Sequence, residues 1–230
     1  MSYRELDPAK LLGTLDKLRE RIEARFPNAG LSRLCGDLIE TAQASVQASH
    51  RLAQPNWPLR VGVGAIIVAG IAAQIIAAKM LRLETAQNNI GLLGNLEAAV
   101  NLLILFGGAV WFLLTLEERT KRRRALDELH KLRSIAHVID MHQLTKDPTA
   151  LLQERAPPRR MTKFELTRYL DYCAEMLALI GKLCALYAER VRDPVVIDAV
   201  TEIENLTTGL ARKIWQKISV IGEIEEGGGP

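Results

Sequence analysis

The sequence is poor in aromatic residues, cysteine and net charge, and each shortage excludes a class of protein. Aromatic residues make up only 5% of the 230 residues, while apolar residues reach 48% and long segments lack both glycine and proline. That balance favours helices over strands. The net charge of +3 gives no general attraction to nucleic acid. We therefore expect an all-α protein that does not bind nucleic acid.

Cysteine is too sparse for a disulfide framework. The chain has three cysteines, Cys35, Cys173 and Cys184, and no two of them form a CxxC pair. Cys173 and Cys184 occupy apolar positions of predicted helices, where a reduced cysteine acts as a small hydrophobic residue. We expect these parts of the chain to lie in the reducing cytosol.

Motifs for catalysis are missing as well. The sequence has no P-loop, no GxSxG and no HExxH. Gly62, Gly64 and Gly70 lie inside an apolar run, so they do not form a phosphate-binding loop. We expect the protein not to be an enzyme and to need no cofactor or metal.

Two long apolar runs are the main positive feature of the sequence. Val61–Ala78 and Ala98–Leu116 contain no charged residue. A helix needs roughly 20 apolar residues to cross a hydrocarbon core of about 30 Å, and a chain of this length has little else to bury two such helices. We predict a two-helix transmembrane hairpin with spans at about 59–80 and 97–117.

Basic residues crowd the end of the second run and predict its orientation. The cluster consists of Arg119, Lys121, Arg122, Arg123 and Arg124. Such clusters stay cytoplasmic and also attract anionic lipid headgroups. The N-terminus lacks a signal-peptide layout, so the membrane segment is expected to act as its own insertion signal. We predict a multi-pass protein of the cell (inner) membrane, with both termini cytoplasmic and the turn-prone pair Asn88-Asn89 outside.

Small and polar residues form a stripe on each predicted span. On the first span the stripe consists of Ala65, Ala69, Ala73 and Ala77, with Gln74 beside it; on the second it consists of Asn101, Gly108 and Thr115. Small residues allow two helix backbones to approach closely. The stripes indicate either packing between helices or, in an oligomer, the lining of a pore.

Helix start and stop signals divide the remaining chain. Asp7 before Pro8 and Asp193 before Pro194 each predict a helix start, and Thr162 with Glu165 forms a capping box. The predicted layout comprises an N-terminal cytoplasmic helical pair (1–56), the transmembrane hairpin (57–118), a stalk helix that continues the second span (119–156), a C-terminal helical hairpin (157–222) that begins with the linker at Pro157-Pro158, and a disordered tail (223–230).

Heptad-like patterns appear in the predicted cytoplasmic helices. The stalk seam consists of Leu129, Leu132, Ala136, Ile139 and Gln143, with alternating spacings of three and four. This spacing is typical of a coiled coil. The two C-terminal helices repeat the same spacing and should pair antiparallel. Their apolar face is wider than one helix can cover, so the N-terminal helices, the stalk or a second subunit must complete it.

The stalk also carries the best candidate for a binding site. His130, Arg133, His137 and Asp140 follow each other at spacings of three or four residues. A His–Asp–Arg cluster on a helix can bind an anion, sense pH or form hydrogen bonds to a partner helix. Zinc is a weaker alternative, because His137 and His142 are five residues apart and face different sides.

Two functions fit these patterns. The first is a two-span membrane-anchored protein, homo-oligomeric, that presents a cytoplasmic helical bundle to a protein partner as a scaffold. The alternative is an oligomeric channel or gated pore, a membrane effector whose cytoplasmic helices act as the sensor. The partners expected are membrane lipid, further copies of the chain and a cytoplasmic protein.

Overall fold

The computed structural model describes residues 6–85, 92–144, 146 and 161–226. The helices are α1 (Pro8–Arg25), α2 (Gly30–Ala53), α3 (Trp57–Thr85), α4 (Leu92–Leu144), α5 (Lys163–Arg190) and α6 (Pro194–Glu226). These residues contain no strand, so the predicted all-α class is confirmed. The predictions for Asn88-Asn89, for Pro157-Pro158, for the end of the tail and for the side chain of Ala77 lie outside the described residues.

The chain divides into two compact units. Unit 1 combines Met1–Ala53 with Arg122–Pro230, and unit 2 is Gln54–Lys121. Helix α4 is continuous and contributes its first part to unit 2 and its remainder to unit 1. Unit 2 covers the predicted transmembrane hairpin, whereas unit 1 joins the predicted N-terminal pair, stalk and C-terminal hairpin.

Side-chain caps start three of the helices where the sequence predicts them. The Asp7 carboxylate accepts a hydrogen bond from the Ala9 amide at 3.0 Å. Thr162 and Glu165 form the predicted capping box. Asp193 accepts from the Val195 amide at 3.0 Å at the start of α6. Each cap satisfies amide groups that the first helical turn leaves without a partner.

Helix α5 is the centre of unit 1 and is buried on most of its circumference. It packs against α1, α2 and α6, with α6 as its most extensive neighbour. A Cβ atom at Gly181 would lie 3.3 Å from the Thr207 hydroxyl oxygen, so the two backbones approach closely at this glycine. The pairing of the two C-terminal helices is confirmed.

The N-terminal helices supply the additional partners that the wide apolar face of α5 needs. Phe26, just after α1, packs edge-on against Tyr169 with ring centroids 5.8 Å apart. From α2, the Ser45 carbonyl accepts a hydrogen bond from the Tyr187 hydroxyl at 3.0 Å. The face is therefore covered by helices of the same chain rather than by a second subunit.

The stalk seam is buried inside unit 1. Each member is at most 1% exposed: Leu129, Leu132, Ala136, Ile139 and Gln143. Lys217 of α6 donates to the Gln143 carbonyl at 3.0 Å, and Arg133 of α4 pairs with Glu202 of α6. Because these side chains are already covered, the structure gives no support to an intermolecular coiled coil along this seam.

One helix boundary differs from the sequence prediction. Helix α6 continues to Glu226 and includes the first four residues of the segment predicted to be disordered. The physical reason lies in composition, because the residues from Glu223 to Glu226 contain no helix breaker and the glycines begin only at Gly227.

Candidate functional site

Helix α3 has the composition of a membrane span. Within the described residues, one helical stretch, Gly30–Ile76, is long and apolar enough to cross a membrane, and only 6% of its most apolar window is buried. The apolar part of this stretch is α3, since α2 buries its leucines in unit 1. One possible span is thereby supported by length and composition, and the two-span topology remains a prediction.

Of the large apolar side chains of unit 2 that the structure describes, most are exposed. These are Trp57, Val61, Ile66, Val68, Ile71, Ile75 and Ile76 on α3, and Val100, Leu103, Ile104, Leu105, Trp111, Phe112 and Leu114 on α4. Water-soluble monomers rarely expose a contiguous apolar surface larger than a few hundred Å². Some apolar medium or partner must therefore cover these helices.

The two helices of unit 2 meet at a glycine. A Cβ atom at Gly70 would collide with the ring of Phe106, so a side chain at position 70 would force the helices apart. Small residues were predicted to let the two helices approach each other closely. In the structure this close approach occurs at Gly70, which faces the bulky ring of Phe106 on the other helix.

The predicted small-residue stripe lies elsewhere on the hairpin. Ala65, Ala69 and Ala73 are exposed, and Asn101 and Gly108 of α4 are exposed as well. Gln74 and Thr115 are half-buried, and among the described residues the Gln74 amide nitrogen has no hydrogen-bond partner. The stripes therefore remain available to another helix, and their predicted role in helix packing or in a pore stays a prediction.

A charged cluster joins α3 and α4 at one end of the hairpin. The Glu117 carboxylate accepts from Arg60 Nε at 2.8 Å and pairs with Lys121 Nζ at 2.9 Å. It also accepts from the amide of Asn56, just before α3, at 3.2 Å. The Glu117 carboxylate thus connects the start of α3 to α4. The cluster formed by Arg60, Glu117 and Lys121 has one net positive charge, because it contains two cations and one carboxylate.

Several side chains of the predicted basic cluster already have partners within the protein. Lys121 is held by Glu117, and Arg122 pairs with Asp193 at 2.7 Å. Arg119 lies 5.2 Å above the Phe112 ring. Arg123 and Arg124 are exposed, and the predicted role of the cluster at a membrane surface stays a prediction.

The predicted histidine cluster lies on the outer side of α4. His130 and His137 are both exposed, and they follow the buried seam residues by one position. Arg133 reaches Glu202 on α6 at 3.4 Å, while Asp140 accepts from the Gln143 amide at 2.6 Å. Arginine and aspartate are thus engaged with other partners, and a ligand or pH-sensing role for the cluster remains a hypothesis. In the described parts of the chain, no three His, Cys, Asp or Glu side chains are placed to hold a metal ion.

The cysteines are buried in the core of unit 1. Burial raises the pKa of Cys35 to about 11 and those of Cys173 and Cys184 to about 12. Because the thiolate is the reactive form, these thiols should be inert at neutral pH.

Thiol labelling tests this burial directly. With the folded protein in mild detergent at pH 8, we expect none of the three cysteines to react within minutes with a chromogenic disulfide reagent, because each is both shielded and protonated. In denaturant all three should react at once. Rapid labelling of the folded chain would show that the core of unit 1 is open.

The contacts that close the hairpin were not predicted from sequence. In the sequence, Arg60 and Glu117 only flank the two apolar runs, and Gly70 lies inside the first run. Both contacts depend on the register between two helices that are distant in sequence, and periodicity within each helix does not determine that register.

No protein-family model, curated protein or solved structure matches this chain.

Proposed function

We propose that the protein is a two-span membrane anchor that presents unit 1 to a cytoplasmic protein partner as a homo-oligomer. The observation that carries the proposal is the exposed apolar surface of unit 2. Lipid can cover that surface, because a helix satisfies its backbone hydrogen bonds internally.

Two observations support the second span: its uncharged sequence and the exposure of its side chains. Ala98–Leu116 is uncharged over 19 residues, long enough for most of a hydrocarbon core with help from its flanks. The described large side chains of α4 in this range are exposed or half-buried. The Arg and Lys residues that follow support a cytoplasmic C-terminal end for this span.

Unit 1 has the features of an interaction module. Its interior is filled with apolar side chains, and the outer side of α4 carries exposed Val138, Met141 and Leu144 at spacings of three. Apolar side chains at helical spacing fit a groove or helix of a partner protein. This surface supports the scaffold function.

The exposed stripes of unit 2 support the homo-oligomer. An amide such as that of Asn101 is costly in lipid unless it bonds to another helix, and Gly108 on the same side allows close approach.

Chemical cross-linking in native membranes should therefore capture dimers or larger assemblies. Asn101→Leu should reduce their yield several-fold, whereas Leu103→Ala, at an exposed apolar position on the opposite side of the helix, should not. A chain that remains monomeric in membranes would refute the homo-oligomer.

An oligomeric pore is the second candidate, because the same stripe would line a channel in a ring of subunits. Ion flux from liposomes that contain the purified protein separates the two functions. Flux that changes with Asn101→Leu or Gly108→Leu would favour the pore. Liposomes that stay tight at every pH tested would favour the anchor.

A further inference from the structure

A groove of about 330 Å³ lies between α3 and α4 within unit 2. Its walls are apolar and include Val63, Gly64 and Ile67 of α3 and Leu113 and Leu114 of α4. A Cβ atom at Gly64 would meet no atom within 4 Å, so this glycine leaves the groove open. The volume is at the lower end of the range of ligand pockets in proteins.

Charges line one end of this apolar groove. Arg60 and Glu117 are part of its lining, and Lys121 binds the same Glu117 carboxylate. Arg60 directs Nε and Nη2 at Glu117, yet 55% of its side chain remains exposed. A guanidinium has five N–H donors, so Arg60 can bind a second anion while it stays paired with Glu117.

An apolar groove that ends in a net positive charge complements one kind of molecule, an amphiphile with an anionic headgroup. We propose that the groove binds a membrane phospholipid with an anionic headgroup, with one acyl chain along Val63, Gly64 and Leu113 and the phosphate on Arg60. The proposal rests on the membrane anchoring proposed above, because the groove then opens directly to lipid. Basic pockets between membrane helices bind anionic lipid headgroups in this manner.

Two glycines of α3 provide a matched test. Gly64 lines the groove, whereas Gly62 is exposed, does not line it, and also has no atom within 4 Å of its Cβ position. Gly64→Leu fills the groove with a side chain, and Gly62→Leu adds the same side chain outside it. Arg60→Gln removes the phosphate donor and leaves the groove open.

The experiment measures lipid retained by the full-length protein. The protein is purified from vesicles of equal phosphatidylglycerol and phosphatidylcholine, and native mass spectrometry counts the bound lipids. We expect the wild type and Gly62→Leu to retain phosphatidylglycerol about ten-fold more often than phosphatidylcholine. Gly64→Leu should lose most of the bound lipid, and Arg60→Gln should lose the preference for the anionic lipid.

The outcomes separate this proposal from membrane anchoring itself. A chain that fails to enter the vesicles refutes both proposals. A chain that inserts but retains the two lipids equally, or in which Gly64→Leu and Gly62→Leu behave alike, refutes the lipid site and leaves the anchor intact. Should Gly64→Leu fail to fold, the comparison of wild type with Arg60→Gln decides, and an unchanged preference overturns the proposal.

Discussion

Replacement of Val68 by arginine is expected to reduce membrane insertion of α3 about 100-fold. Val68 is 67% exposed and lies near the middle of the uncharged run Val61–Ala78. An arginine at the centre of a membrane helix costs about 3 kcal/mol of insertion free energy, which corresponds to that factor. The measurement is the activity of alkaline phosphatase fused after Asn88, between the two predicted spans, because the enzyme is active only outside the cell and reaches it only when α3 inserts.

The control lies seven residues earlier on the same side of the helix. Val61 is 65% exposed and directly follows Arg60 at the end of the run. Arginine at position 61 can extend to the interface, so Val61→Arg should insert nearly as well as the wild type. If α3 were instead exposed to water, both substitutions would be equally harmless. Equal behaviour of the two variants would therefore contradict the membrane assignment.

Truncation of Leu177 is expected to have a large effect on the stability of unit 1. Leu177 lies on α5 with 0% exposure, surrounded by the helices that pack on α5. Leu177→Ala should lower the free energy of unfolding by about 3 kcal/mol, because it removes apolar contacts and leaves a cavity. The expected fall in the melting temperature is about 6–12 °C, measured by circular dichroism on the full chain in detergent.

An exposed leucine of the same unit serves as the control. Leu144 is the last residue of α4 and is 60% exposed. Leu144→Ala removes the same atoms from a position with few contacts, so the free energy of unfolding should change by about 0.5 kcal/mol or less. Equal destabilisation by the two substitutions would mean that α5 is not the centre of the bundle.

Local signals in the sequence predicted the helices well. Asp7, Thr162 and Asp193 start their helices as predicted, because a cap involves residues within one turn of each other. The apolar spacing of the stalk likewise predicted its buried face. Such features depend on the helical repeat and on nothing distant in the chain.

Features that depend on contacts between helices were predicted only in outline. The wide apolar face of α5 indicated that further partners were needed, but periodicity alone did not identify α1 and α2 as those partners. The hairpin contact at Gly70 and Phe106 was not foreseen, because alanines at four-residue spacing gave a stronger small-residue pattern than a single glycine. The histidines of α4 illustrate the same limit. Sequence spacing predicted that Arg133 and Asp140 form a cluster with them. In the structure, Arg133 instead pairs with Glu202 of α6, and Asp140 accepts a hydrogen bond from the Gln143 side chain.

We propose that lipid surrounds the helices of unit 2 while both chain ends remain in the cytoplasm. Fusions expressed in a bacterium test it with two reporters, green fluorescent protein, which fluoresces in the cytoplasm, and alkaline phosphatase, which is active only outside. We predict that both reporters, fused after Pro230, indicate a cytoplasmic C-terminus, and that alkaline phosphatase becomes active when it is fused after Asn88. An active phosphatase at the C-terminus, or full-length protein that stays in solution without membranes or detergent, would contradict the claim.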